Sequence, residues 1–172
     1  KGAALYTIDL LAGHIELAAT KDGKIVGLRA TVWAGMGAYL STAAPGIPTI
    51  LHGLMLSGPY KVPAVKEDVY GVYTNTTPVE AYRGAGRPEA SFMLERMLDL
   101  LADKLKLDPV EIRRRNLLEP FTNGSNVVTG LTYDSGNYQG ALDKALDHVD
   151  YKGLRAEQAR LRKEGRYLGI GV

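Results

Sequence analysis

The apolar residues of this chain recur at strand spacing in runs before residue 73 and at helical spacing after residue 88, and that switch confines it to an α+β fold. Val26, Leu28, Ala30 and Val32 alternate with Gly27, Arg29 and Thr31, the two-residue period of a strand with one apolar face. Ala90, Leu94, Met97, Leu98, Leu101 and Leu105 recur at helical spacing, so residues 88–106 form a helix with one apolar stripe. Strands first and helices later define α+β, with residues 1–80 mainly β and 88–164 mainly α.

Two β-rich runs, 15–20 and 25–33, flank Asp22-Gly23, a strong hairpin signal. Residues 35–63 carry many Gly, Pro, Ser and Thr and read as a long ordered excursion, with 50–56 as a short buried helix. Residues 68–73 return to strand character. Asp108 with Glu111 three residues on is a capping-box-like start, and the helix it opens runs to about residue 118, short of Pro120. Tyr138, Leu142, Ala145, Leu146 and Val149 mark a third helix capped by Asn137, and residues 152–163 a fourth closed by Gly165. Residues 169–172 read as strand. No repeat or low-complexity tract is visible.

Composition removes whole classes of function. The 172 residues hold no cysteine, so this chain supplies no disulfide, thiolate metal ligand, iron–sulfur ligand or cysteine nucleophile. A net charge of +2 is too small to argue for nucleic acid or an anionic membrane. No apolar run approaches the ~20 residues a membrane span needs. A cytoplasmic setting fits. His14, His52 and His148 have no partners at metal-ligand spacing and read as satisfied or surface histidines. Arg113-Arg114-Arg115 reads as a solvated or salt-bridged helix end. Glu80, Glu89 and Glu95 read as structural.

The candidate site is the junction between the two periods, Tyr82-Arg83-Gly84-Ala85-Gly86-Arg87, followed by Pro88. Pro88 suits the start of a helix, the glycines let the backbone approach a partner closely, and a helix start favours anions. A Gly-x-Gly alone is weak: with 20 glycines in the chain, roughly two matches arise by chance. Three occur.

The wording around it is more specific. Ala81-Tyr82-Arg83-Gly84-Ala85-Gly86-Arg87 resembles the loop of the molybdenum hydroxylases, the large subunits of xanthine dehydrogenase, aldehyde oxidase and aerobic carbon monoxide dehydrogenase, and is most similar to form II carbon-monoxide-dehydrogenase-like chains. Collinear pieces agree: His14-Ile15-Glu16-Leu17, Gly37-Ala38-Tyr39-Leu40, Gly58-Pro59-Tyr60-Lys61-Val62-Pro63, Leu107-Asp108-Pro109-Val110-Glu111 with Arg115-Asn116-Leu117, and Thr129-Gly130-Leu131-Thr132-Tyr133-Asp134-Ser135-Gly136. The resemblance runs from about His14 to the end.

It implies a molybdenum–pterin cofactor (molybdopterin or its cytosine dinucleotide) lying against residues 82–87. The metal is held there by pterin sulfurs, so scattered histidines are no objection. It also implies a small-molecule substrate, an iron–sulfur small subunit, an FAD medium subunit and a dimer of heterotrimers. Carbon monoxide dehydrogenases place a copper-binding cysteine where Gly84, Ala85 and Gly86 stand, so no copper is expected. Xanthine dehydrogenases place a phenylalanine at the position of Ala85, and an arginine nine residues before Tyr60, where Leu51 stands. An aldehyde or N-heteroaromatic substrate remains. Family chemistry puts the general base beyond Val172 and a glycine-rich cofactor motif before Lys1, so residues 1–172 read as an inactive internal fragment. Two other readings stay open: a non-catalytic interaction or scaffold domain whose glycines only turn a corner, and a generic phosphate-binding protein, which would lack the Lys-Ser/Thr of a P-loop.

Overall fold

A computed structural model describes residues 4–10 and 13–172, with side chains from His14 onward. Four strands form one sheet in the order β1-β2-β3-β4: β1 (Ala4–Leu10), β2 (Gly13–Ala19), β3 (Ile25–Gly37) and β4 (Val65–Tyr73). The first three are antiparallel neighbours, while β4 runs parallel to β3. The hairpin turns at Gly23, whose φ is 82°, as the Asp-Gly signal requires. A side-chain carbon at Gly23 would lie 2.6 Å from Ile112 Cδ1, so the position needs glycine for space as well as angle. Strand β1 carries no clear signal in the sequence and is an addition to the expected sheet.

A parallel pair needs a long crossover, and residues 38–64 are that crossover. They hold a 3-10 turn (Ala44–Gly46) and a π-helical turn (Ile47–Leu51). The short buried helix expected over 50–56 is therefore shifted: residues of the π-helical turn are not buried, whereas His52, Leu56 and Ser57 are. After β4 the chain crosses back over the end of β3. Thr74 N–H donates to the Gly37 carbonyl at 2.9 Å, and Ala38 N–H to that of Thr76 at 3.1 Å. This return delivers residues 82–87 to the start of α1 (Arg87–Leu105).

Helix α1 lays Ala90, Met93, Leu94, Met97, Leu98, Leu101 and Ala102 into the core, against Ile15 and Leu17 of β2 and Leu28 and Ala30 of β3. Burying each leucine stabilises the fold by about 1.5–3 kcal/mol. Lys106 ends the helix in the left-handed region with φ 57°. Helix α2 (Pro109–Asn116) starts as expected at Asp108, whose carboxylate accepts from Val110 N–H at 2.8 Å. Glu111 does not complete a capping box; it pairs with Arg115 at 2.7 Å. The two-stranded β5 (Ser125–Asn126) and β6 (Thr132–Tyr133), α3 (Tyr138–His148) and α4 (Tyr151–Lys163) complete the chain. Residues 169–172 carry no strand.

Two buried polar side chains lock these elements together. Asn116 is 2% exposed. Its Nδ2 donates to the Gly23 and Ile112 carbonyls, each at 2.8 Å, and its Oδ1 accepts from Ile25 N–H at 2.8 Å. Arg113 is buried rather than solvated: it donates to Glu95 at 2.9 Å, Asp99 at 3.0 Å and the Pro109 carbonyl at 2.9 Å. The salt-bridged half of the expectation for the arginine run holds and the solvated half fails at Arg113, because α2 turns this residue onto α1.

Candidate functional site

Residues 82–87 form a tight double turn. Ala85 N–H donates to the Tyr82 carbonyl and Arg87 N–H to the Gly84 carbonyl, both at 2.9 Å. Gly84 and Gly86 have φ of 94° and 83°, angles open to glycine and strained for other residues. Gly86 is the N-cap of α1, Arg87 its first residue and Pro88 its second. Arg87 N–H is thus already used and Pro88 has none, so the helix start gives fewer donors to an anion than its position implies.

The two glycines serve different ends. At Gly86 a side-chain carbon would lie 2.6 Å from the Ile47 carbonyl oxygen and 2.8 Å from His52 N; the close approach is to the chain's own π-helical turn. At Gly84 the nearest atom is the Pro88 ring, at 3.5 Å, and the residue is exposed. Tyr82 is 89% exposed, Arg83 and Arg87 are exposed, and Ala85 is half-buried. Among the described residues neither arginine has a carboxylate partner; Arg87 Nη1 reaches only the Ala85 carbonyl, at 3.4 Å.

Beside Gly86 opens a cleft of about 560 Å³, walled by Trp33, Met36, Pro48, Phe92 and Met93, with Glu80 and Glu89 at its polar positions. Its size is that of a small-molecule pocket. Glu80 is held below the ordinary carboxylate range by the Ser41 hydroxyl, then by the Ala81 N–H, so it is ionised at neutral pH. His52 also reaches the wall and is fully satisfied, by Glu67 and Met93. His14 lies 3.5 Å from Glu16 and His148 is exposed at the end of α3. Among the described residues no three His, Asp or Glu side chains gather to hold a metal ion. Glu95 accepts from the Tyr60 hydroxyl at 2.8 Å and from Arg113, a structural use. The link between His52 and Glu67 escaped sequence reading because neither residue carries a motif; the path of the 38–64 crossover brings His52 to Glu67 on β4.

The glycine turn at the start of α1 thus carries two exposed arginines, is open at Gly84 and borders an apolar cleft at Gly86. The sequence has no cysteine, and among the described residues no histidine cage is present to hold a metal directly. The chain belongs to the molybdopterin cofactor-binding domain family, which matches it over residues 10–117. It is 45% identical over 163 residues to the carbon monoxide dehydrogenase large chain of Hydrogenophaga pseudoflava, covering 91% of this chain and 20% of that one. It is 37% identical over 163 residues to the 6-hydroxypseudooxynicotine dehydrogenase complex subunit gamma of Paenarthrobacter nicotinovorans, again covering 92% and 20%. Among solved structures, the carbon monoxide dehydrogenase of Oligotropha carboxidovorans superposes with a TM-score of 0.79 at 38% identity, over 89% of this chain and 20% of that chain. Quinoline 2-oxidoreductase of Pseudomonas putida 86 gives 0.78 at 31%, with the same coverage. The chain thus spans about a fifth of the length of the relatives it matches.

Proposed function

We propose that residues 82–87 hold the molybdenum–pterin cofactor in a larger molybdenum hydroxylase subunit, with Arg83 and Arg87 facing its oxygen-rich groups and Gly84 giving it close backbone. The observation that carries this reading is the pair of exposed arginines that have no carboxylate partner among the described residues, set on either side of an open, positive-φ glycine. Cations left unpaired beside a cleft suit an anionic ligand. When bound, the cofactor supplies the metal centre for a two-electron oxidation that adds water-derived oxygen to a carbon of the substrate.

The chain's own residues would do three things: orient the cofactor through the turn, exclude water with the Trp33 and Phe92 side of the cleft, and shape the space for substrate. That space is apolar and suits an aldehyde or an N-heteroaromatic ring. Gly84, Ala85 and Gly86 offer no thiolate, so we assign no copper to this loop. Iron–sulfur and FAD subunits are the partners the reading requires, because two electrons must leave and this chain has no cysteine to bind a cluster. Relatives described as a gamma subunit and as large chains support a multi-subunit assembly, which we place in the cytoplasm as a dimer of heterotrimers. Among the described residues no helix is long and apolar enough to cross a membrane. The test is molybdenum and pterin content of the complete subunit with Arg83 and Arg87 both replaced by alanine. Loss of cofactor with retained fold is expected; unchanged content would overturn the assignment.

A further inference from the structure

Directly behind the loop a buried histidine meets a half-buried glutamate. His52 is 2% exposed, and Glu67 of β4 retains 14% of its side-chain exposure. The His52 ring is gripped from two elements: Nδ1 meets Glu67 Oε1, and Nε2 lies 3.1 Å from the Met93 sulfur on α1. The backbone of the same residue is part of the bed on which the loop rests, since a carbon at Gly86 would fall 2.8 Å from His52 N and 2.7 Å from the Leu51 carbonyl carbon.

The bed is a half-buried to exposed turn, held locally by the bonds of Thr49 Oγ1 to the Pro45 carbonyl and of Leu54 N–H to the Ile50 carbonyl. Residues of the π-helical turn are not buried, and Ile50 is 65% exposed. A π turn is also an uncommon backbone form that persists where tertiary contacts hold it. A carbon at Gly53 would lie 2.3 Å from Glu67 Oε2, so a side chain there displaces the end of Glu67 from its place beside His52. An apolar pair would fill this space without desolvating a charge; what a buried hydrogen-bonded pair adds is a single defined geometry.

We propose that His52 is a positioning residue for the cofactor loop: clamped between Glu67 and Met93, it fixes the 47–52 backbone, and through Gly86 it fixes where Gly84 and the two arginines stand. The role rests on the reading that residues 82–87 meet the cofactor. Three parts of the chain are joined by one imidazole, and the loop meets the clamp where Gly86 lies against main-chain atoms of residues 47–52.

The test is amide hydrogen exchange in the complete subunit, purified in its complex from hosts able and unable to make the cofactor. The reporters are Ala85 and Arg87 N–H, which close the two turns. Removing a charge-assisted bond shifts a local opening equilibrium by about tenfold or more. A His52→Leu/Glu67→Leu double variant, which leaves no buried charge unpaired, is expected to speed exchange in residues 82–87 by that factor and to leave residues 94–105 unchanged. Gly53→Ala, which displaces Glu67 without touching His52 or the loop, is expected to do the same. His52→Asn, whose amide can stand in for Nδ1, is expected to restore most of the protection. Wild-type exchange in the double variant, or equal acceleration throughout α1, overturns the clamp. Acceleration in the variants, with wild-type exchange indifferent to cofactor, instead overturns the cofactor reading and with it the role of His52.

Discussion

A carbon added at Gly84 meets nothing nearer than the Pro88 ring at 3.5 Å, while at Gly86 it meets the Ile47 carbonyl oxygen at 2.6 Å. Gly86 is therefore packed into the fold, whereas Gly84 is open to solvent. Gly86→Ala is expected to lower stability by about 2 kcal/mol or more, from backbone overlap added to a strained φ, as read by thermal or denaturant unfolding. Gly84→Val should leave helix α1 intact by circular dichroism and lower molybdenum content; normal content would remove Gly84 from the cofactor. Asn116 makes a third residue-level case. Asn116→Ala leaves Ile25 N–H without its acceptor, at a cost of about 1–3 kcal/mol. Asn116→Asp should not rescue it, because the Gly23 and Ile112 carbonyls then face an acceptor where they had a donor.

Among the elements, α1 and α2 were the most legible, and their period, Asp108 cap and approximate lengths follow from the residues alone. Their contact was not. Arg113 sits in a run of three arginines whose pattern fits a surface helix end, and only the angle at which α2 meets α1 puts it between Glu95 and Asp99 with 5% side-chain exposure. Tyr60 shares the cluster through its hydrogen bond to Glu95. Burial first, and the Glu95 charge second, push the Tyr60 hydroxyl well above its ordinary 10.0. An acid whose folded value is raised keeps its full contribution below the unfolded value and loses it as pH rises. Stability should accordingly fall as pH climbs past about 10, and Tyr60→Phe should flatten that alkaline slope even though it loses a hydrogen bond. Unfolding curves across the alkaline range measure it; an unchanged slope in Tyr60→Phe would show that another group titrates.

For the molecule as a whole, the α+β order was readable because the hydrophobic period changes once and stays changed. The sheet's parallel edge was not, since pairing between β3 and β4 depends on how the 38–64 crossover folds, and that segment is punctuated by glycine and proline without a clear period. The site was half legible. The 82–87 wording pointed to the loop, but that Gly86 packs on residues 47–52 while Gly84 stays open, and that His52 lies behind them, depends on which backbone segments come to lie beside one another. Binding of a molybdenum–pterin group by this loop, without copper, is the proposal on which the rest depends. Elemental analysis of the complete subunit, purified with its partners from a host able to make the cofactor, tests it most directly: stoichiometric molybdenum with no copper is the predicted result, and a folded, assembled protein without molybdenum would contradict it.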